Sequence, residues 1–259
     1  MSQLNLNDVT RYIQDNIGTF HKRREDSLHE LKLSKVLSKK NPYLFKAKNI
    51  QTSEELVKAL LDAHISSQEE AIFGEFLEGL AVFVCNEVHG GRKSSAEGID
   101  LEFEKDNAHY IVAVKSGPNW GNSGQIRQMI DNFRKAKRIL QTSKSLYNNI
   151  VAVNGCCYGK LRNTNKGDYF KICGQEFWEL ISNNEKLYLD IIEPLGHEAK
   201  QRSEEFNEEY LRVLSDFVIE FQRDFCDGII INWEKLVKFN SGKYSDIVVK
   251  QKEKKRKAK

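Results

Sequence analysis

Asp100 and Lys115 are the residues of this chain whose types and spacing best suit chemistry. A carboxylate can hold a divalent cation, and an ammonium can orient a water or oppose charge building on phosphorus. Together they suit metal-assisted hydrolysis of a phosphodiester. The stretches Gly98 to Phe103 and Tyr110 to Lys115 alternate apolar with polar residues, which predicts two strands joined by a turn near Glu104 to His109. Period-2 alternation gives Ile99, Leu101 and Phe103 one face and Asp100, Glu102 and Glu104 the other. A hairpin closed by that turn sets Asp100 roughly opposite Ala113 and Lys115, so that acid and lysine meet at the strand ends.

This hairpin resembles the PD-(D/E)xK phosphodiesterase superfamily, in which an Asp opens one strand and an acid-x-Lys triplet closes the next. Ile99-Asp100 and Ala113-Val114-Lys115 carry the likeness. Position 113 is alanine where the pattern has an acid. Glu75 or Glu78 from the preceding helix, Glu102 from the same strand face, and Asp131 from the following helix are the candidate replacements. Glu75 ranks first and Glu102 second. The run from Lys115 to Met129, followed by Val153 to Gly159 and Cys173 to Trp178, is similar to a group of type II restriction endonucleases of PmeII-like character. That likeness covers roughly residues 73 to 197 and implies a homodimeric, Mg²⁺-dependent enzyme that cuts a short palindromic site in double-stranded DNA, paired in function with a DNA methyltransferase.

On this reading Asp100, with Glu75 or Glu102 and the carbonyl of Val114, supplies oxygen ligands for Mg²⁺, which needs only one or two carboxylates besides phosphate and water. Lys115 orients or deprotonates the water, or faces the phosphorane. The resemblance also implies that Gln125, at the start of the next helix, faces the site and holds the water or the phosphate. Backbone amides at that helix start, with Asn119, Asn122 and Ser123, suit phosphate oxygens. Trp120 either stacks on DNA or pins its loop to the core. Arg127, Arg134, Lys135, Lys137 and Arg138 make the helix basic, which suits either a DNA groove or a solvated face. The polar stretch Tyr158 to Asp168 offers Arg162, Asn163, Asn165 and Lys166 for base readout, since Arg and Lys bridge guanine acceptors and Asn pairs with adenine.

Blander readings stand beside these. Asp100 and Lys115 also fit a surface cross-strand ion pair. Cys156, Cys157, Cys173 and His197 contain zinc-ligand types, yet adjacent cysteines in a buried strand point apart, which favours core packing. His89 and His109 are candidate bases without a fixed partner. A repair or structure-specific nuclease would use the same chemistry. A degenerate, non-catalytic DNA-binding module and a protein-interaction domain are the rivals from other classes.

Capping boxes at Thr52 to Glu55 and Ser66 to Glu69 predict two helices, the second ending near Gly90 and Gly91. Further helices are expected over about 125 to 140 and 203 to 225, with a buried strand at 150 to 154. The apolar stripe Phe206, Tyr210, Leu214, Phe217, Val218, Phe221 needs cover from the chain's own core or a second subunit. The expected fold is α/β, a mixed central sheet flanked by helices. Its parts are a helical region over 1–66, a nuclease core over 67–200, a helical region over 201–249 and a basic tail over 250–259.

With 259 residues and 40% hydrophobic content the chain can bury a full core. It shows no membrane-length apolar run and no leader pattern, so a cytoplasmic protein is expected. Five cysteines without CxxC spacing suggest reduced thiols. The last ten residues hold seven basic groups and one acid, so that +3 overall less +6 in the tail leaves −3 for the body. The body is therefore not a generally basic surface; the tail suits either non-specific attraction of phosphate by counterion release or a solvated terminus, and a nuclease that must release its product needs only a local basic groove.

Overall fold

The computed structural model describes residues 3–142 and 149–243, and the basic tail lies outside the described residues. In chain order the elements are α1 (Leu6–His29), α2 (Leu33–Lys39), α3 (Pro42–Ala47), α4 (Ser53–His89), β1 (Leu101–Lys105), β2 (Ala108–Lys115), α5 (Ser123–Thr142), β3 (Ile150–Cys156) and β4 (Phe170–Cys173). There follow α6 (Gln175–Ser182), α7 (Leu187–Asp190), α8 (Ile192–Leu195), α9 (Ala199–Phe225), β5 (Cys226–Asp227), β6 (Ile230–Ile231) and α10 (Trp233–Ser241). Two compact units are formed, with boundaries at 21/22, 69/70 and 199/200.

The unit that contains the sheet is mixed α/β. Its strands lie in the order β1-β2-β3-β4, with β1 and β2 antiparallel and the other two pairs parallel. Asp106 and Asn107 both take positive φ, at 50° and 58°, in a two-residue turn that pairs Lys105 with Ala108. Alternation then sorts the side chains. Leu101, Phe103, Val112, Val114 and Val153 pack with Leu77, Leu80 and Val84 of α4 and with Phe177 and Trp178 of α6. Ile111, Ala113 and Ala152 pack on Met129, Phe133 and Ala136 of α5. Ile99 joins the α5 cluster and does not share the face of Leu101 and Phe103. Regular pairing starts at Leu101, and the Ile99 amide closes a turn onto the Ala96 carbonyl at 3.1 Å, so the alternation does not extend back through it.

Residues 53 to 89 form one helix where two were expected. The first capping box is made, with the Glu55 amide on Thr52 Oγ1 at 3.2 Å and the Thr52 amide on Glu55 Oε2 at 3.3 Å. The Thr52 and Gln51 amides, with the Thr52 hydroxyl, hold the Glu55 carboxyl below its usual range. At the second box nothing breaks the helix, because neither Gly nor Pro intervenes and Ser67 Oγ bonds back to the Ala63 carbonyl at 2.9 Å.

Close packing behind the sheet is tight at Gly155, where an added Cβ would lie 2.2 Å from a ring atom of the fully buried Phe177. Gly155→Ala is expected to destabilise the protein by roughly 1–3 kcal/mol, because strand or ring must move. The urea midpoint measures this directly, and an unchanged midpoint would show that Phe177 can shift at no cost.

In the other unit α9 buries Phe206, Leu214, Phe217, Phe221 and Phe225 against Leu28, Leu33, Leu37, Leu56 and Leu61. The apolar stripe of α9 is therefore covered within the chain. Among the described residues no helix is long and apolar enough to cross a membrane.

Candidate active site

Asp100 stands one residue before β1 and continues its ladder, its amide donating to the Val112 carbonyl at 2.8 Å. Its side chain turns toward the end of β2, where Oδ2 accepts the Val114 amide at 2.7 Å and lies 3.6 Å from Lys115 Nζ. Lys115 also donates to the Val114 carbonyl at 2.8 Å. The two side chains are 20% and 32% exposed, so the pair is half-sheltered yet open to a substrate. A backbone amide fixing the carboxylate distinguishes it from an ordinary surface ion pair, in which both partners swing freely.

The candidate acids are distributed unequally. Gly74 of α4 approaches the site closely enough that an added Cβ would stand 3.8 Å from Ser116 Cβ. Glu78 follows one helical turn later on the same face, half-buried, with Lys93 at 3.4 Å. Burial pushes the Cys157 thiol up, the Cys156 sulfur and the Glu78 carboxylate add to this, and Lys115 opposes it. Glu78 and Lys115 thus act on one thiol from two elements. Glu75 is exposed and lies about 100° round the helix from Gly74. Glu102 is 7% exposed and occupied in a polar cluster with Ser94 Oγ, the Arg92 guanidinium at 3.6 Å and His109 Nε2 at 3.6 Å. Asp131 is exposed and pairs with Arg134 at 3.6 Å.

Ala113 is 1% exposed in the α5 cluster. Its strand neighbour is Asn154, which is equally buried and donates from Nδ2 to the Ala113 carbonyl at 3.1 Å. Asn154 Oδ1 accepts the Trp120 indole N–H at 3.0 Å, and the Trp120 ring lies under Lys115 Nζ, 5.4 Å from its centroid. The expectations singled out neither role of Asn154. An amide inside a buried strand must find partners, and that was the available signal.

Asn122 and Gln125 bond each other instead of reaching toward Lys115. Asn122 Oδ1 caps the amides of Gly124 and Gln125 at 3.0 and 3.1 Å, while Gln125 Oε1 accepts the Asn122 amide at 2.9 Å. Asn119, Ser123 and Arg127 are exposed beside them. In the 158–168 loop Arg162, Asn163, Asn165 and Lys166 are exposed, although the Asn165 side chain accepts the Gly167 amide at 2.8 Å. Arg134 grips Asp168 through both carboxylate oxygens at 3.0 and 3.1 Å, tying that loop to α5. His109 is buried against Glu102, and His89 stacks on Phe103 at 5.2 Å. All five cysteines are free and buried.

At the strand ends the Asp100 carboxylate and the Val114 carbonyl are hard oxygen donors, of the kind that suits a hard divalent cation rather than a thiophilic metal. Among the described residues no cluster of three or more His, Cys, Asp or Glu side chains has metal-binding geometry, so any ion here relies on substrate phosphate and water for its remaining ligands.

No curated protein shows significant similarity to the chain. A family model does match, over residues 7–203, and it describes the type II restriction endonuclease EcoO109I. The matched segment takes in the whole hairpin, the loop after Lys115 and the sheet. A mixed sheet that brings Asp100 and Lys115 together, read with that match, leads to one conclusion: the chain belongs to the EcoO109I family of type II restriction endonucleases.

Proposed function

We propose that the chain hydrolyses phosphodiester bonds of double-stranded DNA at a short specific site, in a Mg²⁺-dependent reaction centred on Asp100 and Lys115. The observation that carries this reading is the Asp100 carboxylate, held by the Val114 amide and 3.6 Å from the Lys115 ammonium. In this reading the hairpin is of the PD-(D/E)xK type, and the PmeII-like character of the loop rests on its residues alone. Asp100, Glu78 and the Val114 carbonyl would hold Mg²⁺, which when bound supplies charge to the phosphate and acidity to a coordinated water. Glu78 replaces Glu75 as the first choice for the acid missing at 113, because it shares the helix face of Gly74, which approaches Ser116, and its charge acts on the Cys157 thiol as that of Lys115 does. Lys115 places positive charge where negative charge develops. The exposed residues of the 158–168 loop and Arg127 are the surface offered to bases and backbone. A homodimer reading two half-sites, working in the cytoplasm beside a protecting DNA methyltransferase, completes the proposal.

Incubating the purified chain with phage DNA and Mg²⁺, beside EDTA controls, tests it. Discrete fragments with a common end sequence, absent with EDTA, are expected. Glu78→Gln should slow cutting by at least about tenfold, whereas Glu75→Gln should leave it within a factor of about three. The buried Ala113 favours a second reading, a duplex-binding module without catalysis. Duplex that is bound yet intact under every metal tried would establish that reading in place of the first.

A further inference from the structure

A lysine side chain is a flexible four-carbon stem bearing a compact charge, so a reaction that needs its ammonium in one place needs something to hold it. Lys115 is held on three sides. Its Nζ meets the Asp100 carboxylate at 3.6 Å and the Val114 carbonyl at 2.8 Å, and it stands 5.4 Å from the centroid of the Trp120 ring. The third support is itself fixed, since the indole N–H donates to Asn154 Oδ1 at 3.0 Å. Asn154 in turn donates to the Ala113 carbonyl at 3.1 Å. With 1% exposure and both ends of its amide engaged, Asn154 has a single orientation available to it. Contacts therefore run from the backbone of β2 through Asn154 and the indole back to the side chain two residues further along the same strand.

We propose that Asn154 and Trp120 are positioning residues for Lys115, holding its ammonium beside Asp100 during phosphodiester hydrolysis. The proposal rests on the reading of Asp100 and Lys115 given under Proposed function. The negative face of an indole attracts an ammonium, and attraction of this kind corresponds to about 2- to 30-fold in rate or affinity. The ring takes up no N–H as a conventional acceptor, so the donors of Lys115 not engaged by the Val114 carbonyl stay available for water or phosphate. Asn154 is also the register partner, on β3, of Ala113, the position where the superfamily pattern has an acid.

Three variants and two readouts test the proposal. Trp120→Leu removes the ring, Trp120→Phe keeps a ring without the N–H, and Asn154→Ala frees the indole. Expected are kcat losses of about 5- to 30-fold for Trp120→Leu and Asn154→Ala, with duplex affinity unchanged, and partial recovery in Trp120→Phe. The second readout needs no activity. The chain has three tryptophans, so its ¹⁵N-labelled form gives three indole N–H signals, of which Trp120→Phe identifies one. Lys115→Met should shift that signal, and Asn154→Ala should shift it further and speed its exchange with water. Wild-type kcat in Trp120→Leu, or a Trp120 signal indifferent to Lys115→Met, would overturn the proposal. If the wild-type chain cuts no duplex, the functional reading falls, and the indole response alone decides whether Trp120 holds Lys115.

Discussion

Asp100→Asn is expected to cut DNA about a thousandfold more slowly than wild type while folding normally, a rise of roughly 4 kcal/mol in barrier. The amide keeps an oxygen for the Val114 N–H, which now meets Oδ2 at 2.7 Å, and removes only the charge. Asp100→Ala should be as slow and in addition less stable by about 1–3 kcal/mol, since the Val114 amide loses its partner. Lys115→Ala should match the loss in rate with little effect on stability, because its side chain is 32% exposed. Single-turnover cleavage with enzyme in excess, beside duplex binding in Ca²⁺, separates chemistry from affinity. Retained cutting in either charge-removing variant would place the reaction elsewhere in the molecule.

Ala113→Glu would restore the acid of the superfamily pattern, and the expected result is a less stable protein that cuts no faster. The methyl of Ala113 is 1% exposed among Ile111, Met129 and Phe133, with the engaged Asn154 alongside. A carboxylate there must be buried without a prepared partner, at a cost on the order of 3 kcal/mol, or about 5–10 °C in Tm for a protein of this size. Thermal unfolding and kcat measured together decide the matter. A variant with wild-type Tm and raised kcat would mean that this space opens toward Lys115, and Glu78 would then lose its role as the substitute acid.

Much of the hairpin was legible because a strand's period of two is written directly in its residues. Asp100, Lys115 and a turn between Glu104 and His109 could all be placed from that pattern, and the structure puts the turn at Asp106-Asn107. What escaped depended on facts that no local pattern carries. Glu75 and Glu78 both carry carboxylates on one helix, and only the approach of Gly74 to Ser116 tells which face meets the strand ends. β4 has four residues, Lys171 among them, too few for alternation to stand out. Asn154 read as the end of a strand, whereas β3 runs on to Cys156. Asn122 and Gln125 carry the spacing of a capping pair, and each bonds the other's backbone amide at the start of α5.

The fork between Arg134 and Asp168 bears on how a new cutting specificity could be engineered or evolve. If the 158–168 loop reads bases, its exposed side chains can be exchanged freely only while Asp168 and its partner on α5 stay together, for these secure the end of the loop. A loop transplanted from a relative without a matching arginine would arrive with the correct letters and no fixed reading frame. Selection for altered sites should therefore recover changes at 134 and 168 as a pair, and changes at 162 and 163 singly.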